Sequence, residues 1–353
     1  MANQERPILS VKNLKTYFHQ DEGTVRAVDG ASFDLLPGKT LGIVGESGCG
    51  KSVTARSILR IVDRPGRIEA GEIILRRQLA NGQAEEIDLT QLNENSREIR
   101  SIRGDEIALI FQEPMTSFSA FHTIGNQMIE AIRLHRDASK KEARAHALEM
   151  LRLVGIPNPE RRIDEYSFQL SGGLRQRVMI ALALSSDPDI LIADEPTPAL
   201  DVTTQAQVLD LMRHLQQERN LSIILITHNM GVIAEMTDDV VVMYLGRVVE
   251  TGPVEAIFHS PKHPYTQALL RSIPNILAEP RTKLATISGS IPHPYNRPRG
   301  CPFYPRCPEF MPGVCDTYEP QLQSLAVTDQ RVSCFLYHQP LPDQTTEQQD
   351  HRG

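Results

Sequence analysis

Gly45-Glu46-Ser47-Gly48-Cys49-Gly50-Lys51-Ser52 decides how this chain is read. The stretch fits G-x-x-x-x-G-K-S. It stands between Thr40-Leu41-Gly42-Ile43-Val44, which reads as a buried strand, and a helix expected from about Ser52 to Val62. The glycines let the loop turn tightly, so that several backbone N–H groups point inward at phosphate oxygens. The helix dipole adds roughly half a positive charge at the same end. Lys51 is suited to neutralising β- and γ-phosphate charge and the Ser52 hydroxyl to ligating Mg²⁺, with Val53 closing the ATP-binding stretch. Cys49 fills a variable slot, where a small inert filler is expected rather than a reactive thiol. A chance match is the competing reading, and the flanking strand and helix tell against it.

Further along the chain, Ile190-Leu191-Ile192-Ala193-Asp194-Glu195 reads as an apolar strand ending in two carboxylates. Such a strand delivers Asp194 beside the loop, where it can hold the Mg²⁺ shell, and Glu195 one residue on, where it can polarise an attacking water. Alone, acids at a strand end are mostly helix caps; paired with Gly45–Ser52 they become half of a nucleotide site. The runs Asp189–Ala193, Ser222–Thr227 and Asp239–Leu245 are apolar and β-branched, with an amphipathic helix expected around Thr203 to Arg219. That alternation indicates a parallel sheet covered on both faces. Residues 8 to 36 read as antiparallel strands. From about 90 to 172 the chain turns helical, with Ser139-Lys140-Lys141-Glu142 as a capping box.

Composition narrows the class. The 353 residues carry 37 basic and 44 acidic side chains, a net charge of −7 that argues against a nucleic-acid partner. The longest apolar run, Val178 to Leu184, is seven residues, far short of the ~20 a spanning helix needs. The opening Met1-Ala2-Asn3-Gln4-Glu5-Arg6-Pro7 carries no apolar signal, so a soluble, cytoplasmic chain of about two parts is expected. Cysteines are lopsided: Cys49 stands alone, while Cys301, Cys307, Cys315 and Cys334 fall within 34 residues. In a reducing compartment disulfides are the lesser use of such a set.

Leu170-Ser171-Gly172-Gly173-Leu174-Arg175-Gln176-Arg177 makes the reading specific. It resembles the signature of the ATP-binding-cassette family, commonly Leu-Ser-Gly-Gly-Gln, with Leu174 where Gln or Met is usual. Ser171, Gly172 and Gly173 offer a hydroxyl and close backbone amides at a helix N-terminus, a second anion site beside the plainer reading of an ordinary N-cap. The resemblance implies a head-to-tail dimer that sandwiches ATP between the loop of one subunit and the signature of the other. It further implies Gln112 as the loop glutamine that senses Mg²⁺ and water, Asp201 in the loop that crosses the dimer, and His228 as the switch histidine on the γ-phosphate. Tyr17 or Phe18 is expected to stack on adenine; spacing does not choose between them. Pro198 stands where Thr or Ser is common, and it fixes φ and removes a donor just before Asp201.

His263-Pro264-Tyr265-Thr266-Gln267-Ala268-Leu269-Leu270 and Gly300-Cys301-Pro302-Phe303-Tyr304-Pro305-Arg306-Cys307-Pro308 resemble the C-terminal extension of dipeptide, oligopeptide and nickel importer ATPases. The wording Lys51-Ser52-Val53-Thr54 is closer to the dipeptide-type "D" subunit than to its "F" partner. The expected fold is an α/β P-loop cassette ATPase: a parallel-sheet core with antiparallel N-terminal strands over 1–260 and a helical subdomain at about 90–172. A small loop-rich extension follows over 261–340, then a disordered tail over 341–353. Implied partners are a second, homologous ATPase subunit (a heterodimer), two transmembrane permease subunits and an external solute-binding protein, at the cytoplasmic face of the inner membrane. Four thiolates suit tetrahedral Zn²⁺ or an iron–sulfur cluster, and their spacing matches neither common pattern. The resemblance points to a [4Fe–4S] cluster, with Zn²⁺ and free thiols as alternatives. Peptide is the expected solute, nickel or oligosaccharide the alternatives. A non-transport cassette ATPase is the competing class, and the chain lacks the heptads or second cassette usual there.

Overall fold

The computed structural model of this chain describes residues 6–78, 83–112, 118–197, 201–273, 287, 289–326 and 328–340. The tail over 341–353, and Pro198 with Ala199 and Leu200, lie outside them. Two sheets carry the fold. The first is antiparallel, ordered β2-β1-β4-β5, from β1 (Leu9–Gln20), β2 (Gly23–Leu35), β4 (Gly66–Gln78) and β5 (Ala84–Asp88). Its inner face buries Leu9, Val11, Leu14, Val28, Ala31, Phe33 and Leu35, the alternation expected of a half-covered sheet.

The second sheet runs β11-β12-β10-β9-β3-β8-β7-β6. Its parallel centre consists of β3 (Thr40–Val44), β6 (Ile107–Ile110), β7 (Ile190–Asp194), β8 (Ser222–Ile226) and β9 (Asp239–Tyr244). Every residue of β3, β7 and β8 is buried, which is why these strands read as continuous apolar runs. An antiparallel margin follows in β10 (Arg247–Pro253), β11 (Gln323–Ser324) and β12 (Arg331–Val332). The helices are α1 (Lys51–Ile58), α2 (Arg97–Asp105), α3 (Ile124–His135), α4 (Lys140–Leu153), α5 (Pro159–Arg162), α6 (Gly172–Ala183), α7 (Val202–Arg219), α8 (Met230–Met236), α9 (Val254–His259) and α10 (Pro264–Arg271). The capping box forms at the start of α4, with Ser139 and Glu142 each bonded to the other's backbone N–H.

Three expectations change. Helix α1 stops at Ile58 rather than near Val62, because Arg60 takes φ 56°. The guanidinium of Arg103 donates to the carbonyls of Leu59 and Arg60 at 2.8 Å each, satisfying backbone acceptors that a longer helix would have used. Within the stretch expected to be helical, Ile107–Ile110 is instead a strand pairing in parallel with β7. So short an apolar run carries no period that separates strand from helix. Finally, the described residues after 261 pack onto the cassette instead of standing apart from it as an extension. Strand β12 pairs with β10, and Tyr265, Cys301, Phe303 and Cys315 share one buried cluster with Val44, Val242 and Tyr244.

Candidate functional site

Strand β3 runs straight into the phosphate loop, which turns through positive φ at Gly45, Gly48 and Gly50. Glycine is required twice over at Gly45 and Gly50. A methyl at Gly45 would stand 2.2 Å from the Met243 carbonyl oxygen, and one at Gly50 2.2 Å from that of Ala27. Lys51 opens α1 and folds back, its Nζ donating to the carbonyls of Gly45 at 2.7 Å and Glu46 at 3.1 Å. Cys49 is buried beneath the loop, and that burial pushes its thiol up, away from the reactive thiolate. It packs as the filler its slot suggested.

The acidic half lies alongside. The Ser52 hydroxyl donates to Asp194 Oδ1 at 3.0 Å, so two hard oxygen donors stand together. Burial pushes the Asp194 carboxyl up, a penalty that a divalent cation beside it would offset. Glu195 leaves β7 in the left-handed region at φ 46°, with its N–H donating to the Ile226 carbonyl at 2.8 Å. That turn aims the carboxylate between two groups: Gln112 Nε2 donates to Oε2 at 3.2 Å, and His228 Nδ1 lies 3.2 Å from Oε1. Gln112 follows β6, Asp194 and Glu195 end β7, and His228 follows β8, while the loop follows β3. All therefore converge at the carboxyl ends of adjacent parallel strands, where α/β sheets place their ligands.

Ser171 caps α6, its hydroxyl accepting from the Leu174 N–H at 3.4 Å, and Asp201 caps α7 through Thr204. The two caps meet: a methyl on Gly173 would lie 2.5 Å from Thr204 Cγ2. Among the described residues no hydrogen bond joins Ser171, Gly172 or Gly173 to the loop. Tyr17 and Phe18 diverge. Tyr17 pairs with Arg26 across the first sheet, next to the Ala27 carbonyl that touches Gly50, and its hydroxyl donates to Asp29 at 2.6 Å. Phe18 instead packs toward Gly66 and Val62. Asp29 is buried, which raises its carboxyl, but Arg247 and Arg297 outweigh that and hold it down to about 2.

Residues 28–198 match the ABC transporter family, and residues 249–315 match the C-terminal region of oligopeptide/dipeptide transporters. The dipeptide transport ATP-binding protein DppD of Escherichia coli is 46% identical over 336 residues, 95% of this chain and 98% of that protein. The oligopeptide transport ATP-binding protein AppD of Bacillus subtilis is 49% identical over 339 residues, 96% and 99% of the two chains. The chain belongs to the ABC transporter family. Its P-loop ABC ATPase fold is shared with the bacterial ABC transporter cassette MJ0796, solved as a dimer: TM-score 0.60, 26% identity, 70% of this chain and 98% of that one. The cassette is thus an ATP-hydrolysing subunit, for which ATP with Mg²⁺ is the expected nucleotide. Among the described residues no helix is long and apolar enough to cross a membrane.

Cys301, Cys307 and Cys315 lie inside the region matched to oligopeptide/dipeptide transporters and Cys334 beyond it, and no disulfide joins them. Burial pushes the Cys301 thiol up to about 12 and that of Cys334 up to about 11, and raises Cys307; neighbouring thiols add to each. The backbone that positions them is tight. The Cys301 N–H donates to the Cys315 carbonyl at 2.8 Å, and a methyl on Gly300 would stand 2.4 Å from that same oxygen. Among the described residues, however, no group of three or more His, Cys, Asp or Glu side chains is set to hold a metal ion. Arg306, Tyr265 and Asp29 carry no expectation from the sequence, yet each touches the nucleotide half of the molecule. Two of them sit inside the stretches that mark the transporter extension, where cysteines and prolines are the more visible signal.

Proposed function

We propose that this chain energises import of dipeptides or oligopeptides, hydrolysing ATP at the cytoplasmic face of the inner membrane. One observation carries the chemistry: the Glu195 carboxylate is held between Gln112 and His228, beside the Ser52–Asp194 pair and the phosphate loop. In this reading residues 45–53 bind the polyphosphate, and Ser52, Gln112 and Asp194 hold Mg²⁺. Glu195 takes the proton of the attacking water, His228 contacts the γ-phosphate, and Tyr17 rather than Phe18 stacks on adenine. Ser171, Gly172 and Gly173 serve the ATP of a second, homologous ATPase subunit, with Asp201 at the crossing. Two permease subunits and an external solute-binding protein complete the assembly, and residues 1–260 and 261–340 are its motor and extension.

The names of the relatives favour peptide as the solute. In the reconstituted complex, dipeptide or oligopeptide with its binding protein is expected to raise ATP turnover, while nickel and oligosaccharide leave it at the basal rate. Stimulation by either of those instead sinks the peptide reading.

The four thiols are proposed to hold a [4Fe–4S] cluster. The resemblance of residues 300–308 to the extension of importer ATPases is what supports the cluster, with Zn²⁺ as the alternative for four thiolates. Such a centre cross-links a segment with little core of its own. Anaerobically purified protein is expected to contain iron and absorb in the visible range. Zinc in place of iron, or neither metal, overturns the assignment.

A further inference from the structure

Glu46 is the second residue of the phosphate loop, and the C-terminal extension grips it at two points. Its carboxylate receives two parallel bonds from Arg306, Nη1 to Oε2 at 2.7 Å and Nη2 to Oε1 at 3.1 Å. Its N–H donates to the Tyr265 hydroxyl at 2.9 Å. Its carbonyl accepts from Lys51 Nζ at 3.1 Å, so the same residue ties the extension to the phosphate-binding lysine. The Arg306 side chain is 4% exposed and that of Glu46 22%, so the pair is poorly screened and geometrically specific.

The grip is itself anchored. Tyr265 is fully buried against Tyr244, ring centroids 4.7 Å apart, and against Phe303 at 5.4 Å. Arg306 ends the short turn Tyr304–Arg306, one residue before Cys307 and five after Cys301. Arg297, from the same extension, pairs with Asp29, which in turn holds the Tyr17 hydroxyl.

We infer that Arg306 and Tyr265 are positioning residues for ATP: they hold Glu46 and so set the phosphate loop in its binding shape. Arg306 also neutralises a carboxylate that otherwise stands at the mouth of an anion site. The cysteine-bearing segment and the nucleotide site are then thermodynamically linked, since whatever displaces residues 301–307 releases Glu46 and whatever fixes the loop favours the extension's docked position.

The inference rests on the loop being the ATP site. Its test is equilibrium binding of a fluorescent ATP analogue, with KM and kcat, in the assembled complex. Arg306→Met is expected to weaken binding and raise KM about tenfold, with kcat kept within about twofold. Arg306→Lys should recover part of the loss. In a double-mutant cycle with Glu46→Gln the two changes are expected to be non-additive, because removing the carboxylate removes what Arg306 neutralises. Additivity, or wild-type affinity in folded Arg306→Met, overturns the inference. Should Arg306→Met fail to fold, Tyr265→Phe deletes only the hydroxyl. It is expected to weaken analogue binding several-fold, and unchanged binding there is equally fatal. A wild-type complex that binds no nucleotide overturns the ATP-site reading instead, a distinguishable result.

Discussion

Glu195→Gln is expected to lower ATP turnover of the assembled transporter by about 10²- to 10⁴-fold, the range over which a positioned general base acts. Gln preserves the shape of the side chain and can still accept from Gln112 Nε2, which lies 3.2 Å from Oε2 in the native residue. What it loses is the capacity to take a proton. The turn at φ 46° that aims residue 195 is a backbone property, anchored by the bond from its N–H to Ile226, and is expected to survive. Nucleotide affinity should therefore stay within about threefold of the parent, so that the loss falls on kcat alone. Single-turnover hydrolysis alongside equilibrium binding separates the two. Turnover near the wild-type rate would remove Glu195 from its assigned role and leave His228 or bulk water as the base.

Lys51→Met is expected to produce the opposite split, abolishing binding before chemistry is reached. Lys51 is 5% exposed, and its ammonium sits between the carbonyls of Gly45 and Glu46 at the loop's mouth. Met keeps the length and the packing of the buried stem and discards the charge. A hydrogen bond to a charged group is worth about 1.5–3 kcal/mol, up to about 150-fold in affinity, and here a full charge goes with it. The measurement is ATP·Mg²⁺-induced thermal stabilisation of the complex: a ligand at 100 times its Kd stabilises by about 2.7 kcal/mol, and the variant should show almost none at the same concentration. Undiminished stabilisation would mean that the backbone amides and the α1 terminus suffice without the lysine.

The site was legible to different depths. Gly45–Ser52 could be read outright because the chemistry is local: a tight turn, inward amides and a lysine all come from consecutive residues. Asp194 and Glu195 were legible because an apolar strand announces where it ends. Gln112 and His228 carried no chemistry of their own in the sequence and entered through the order of the cassette motifs. Only the sheet, by placing β6, β7 and β8 side by side, brings both against Glu195. Tyr17 and Phe18 are neighbours that spacing cannot separate. A strand separates them by pointing successive side chains to opposite faces: the Tyr17 hydroxyl reaches Asp29, while Phe18 packs toward Gly66.

The sequence alone thus determined the motor: the P-loop cassette fold, the ATP chemistry and the extension that marks the transporter branch. Those follow from short motifs, from the family resemblance they carry and from the continuous apolar runs of the buried strands, all properties of contiguous residues. The tertiary structure alone decided how the last third of the chain is used. Nothing in a proline-rich run without periodicity says that Arg306 reaches Glu46, 260 positions away, or that the Tyr265 hydroxyl meets the N–H of the same residue. Such contacts are set by which apolar faces must be buried together. Here Tyr244, Tyr265 and Phe303 close one core across the end of the central sheet, and the polar side chains beside them are carried onto the phosphate loop.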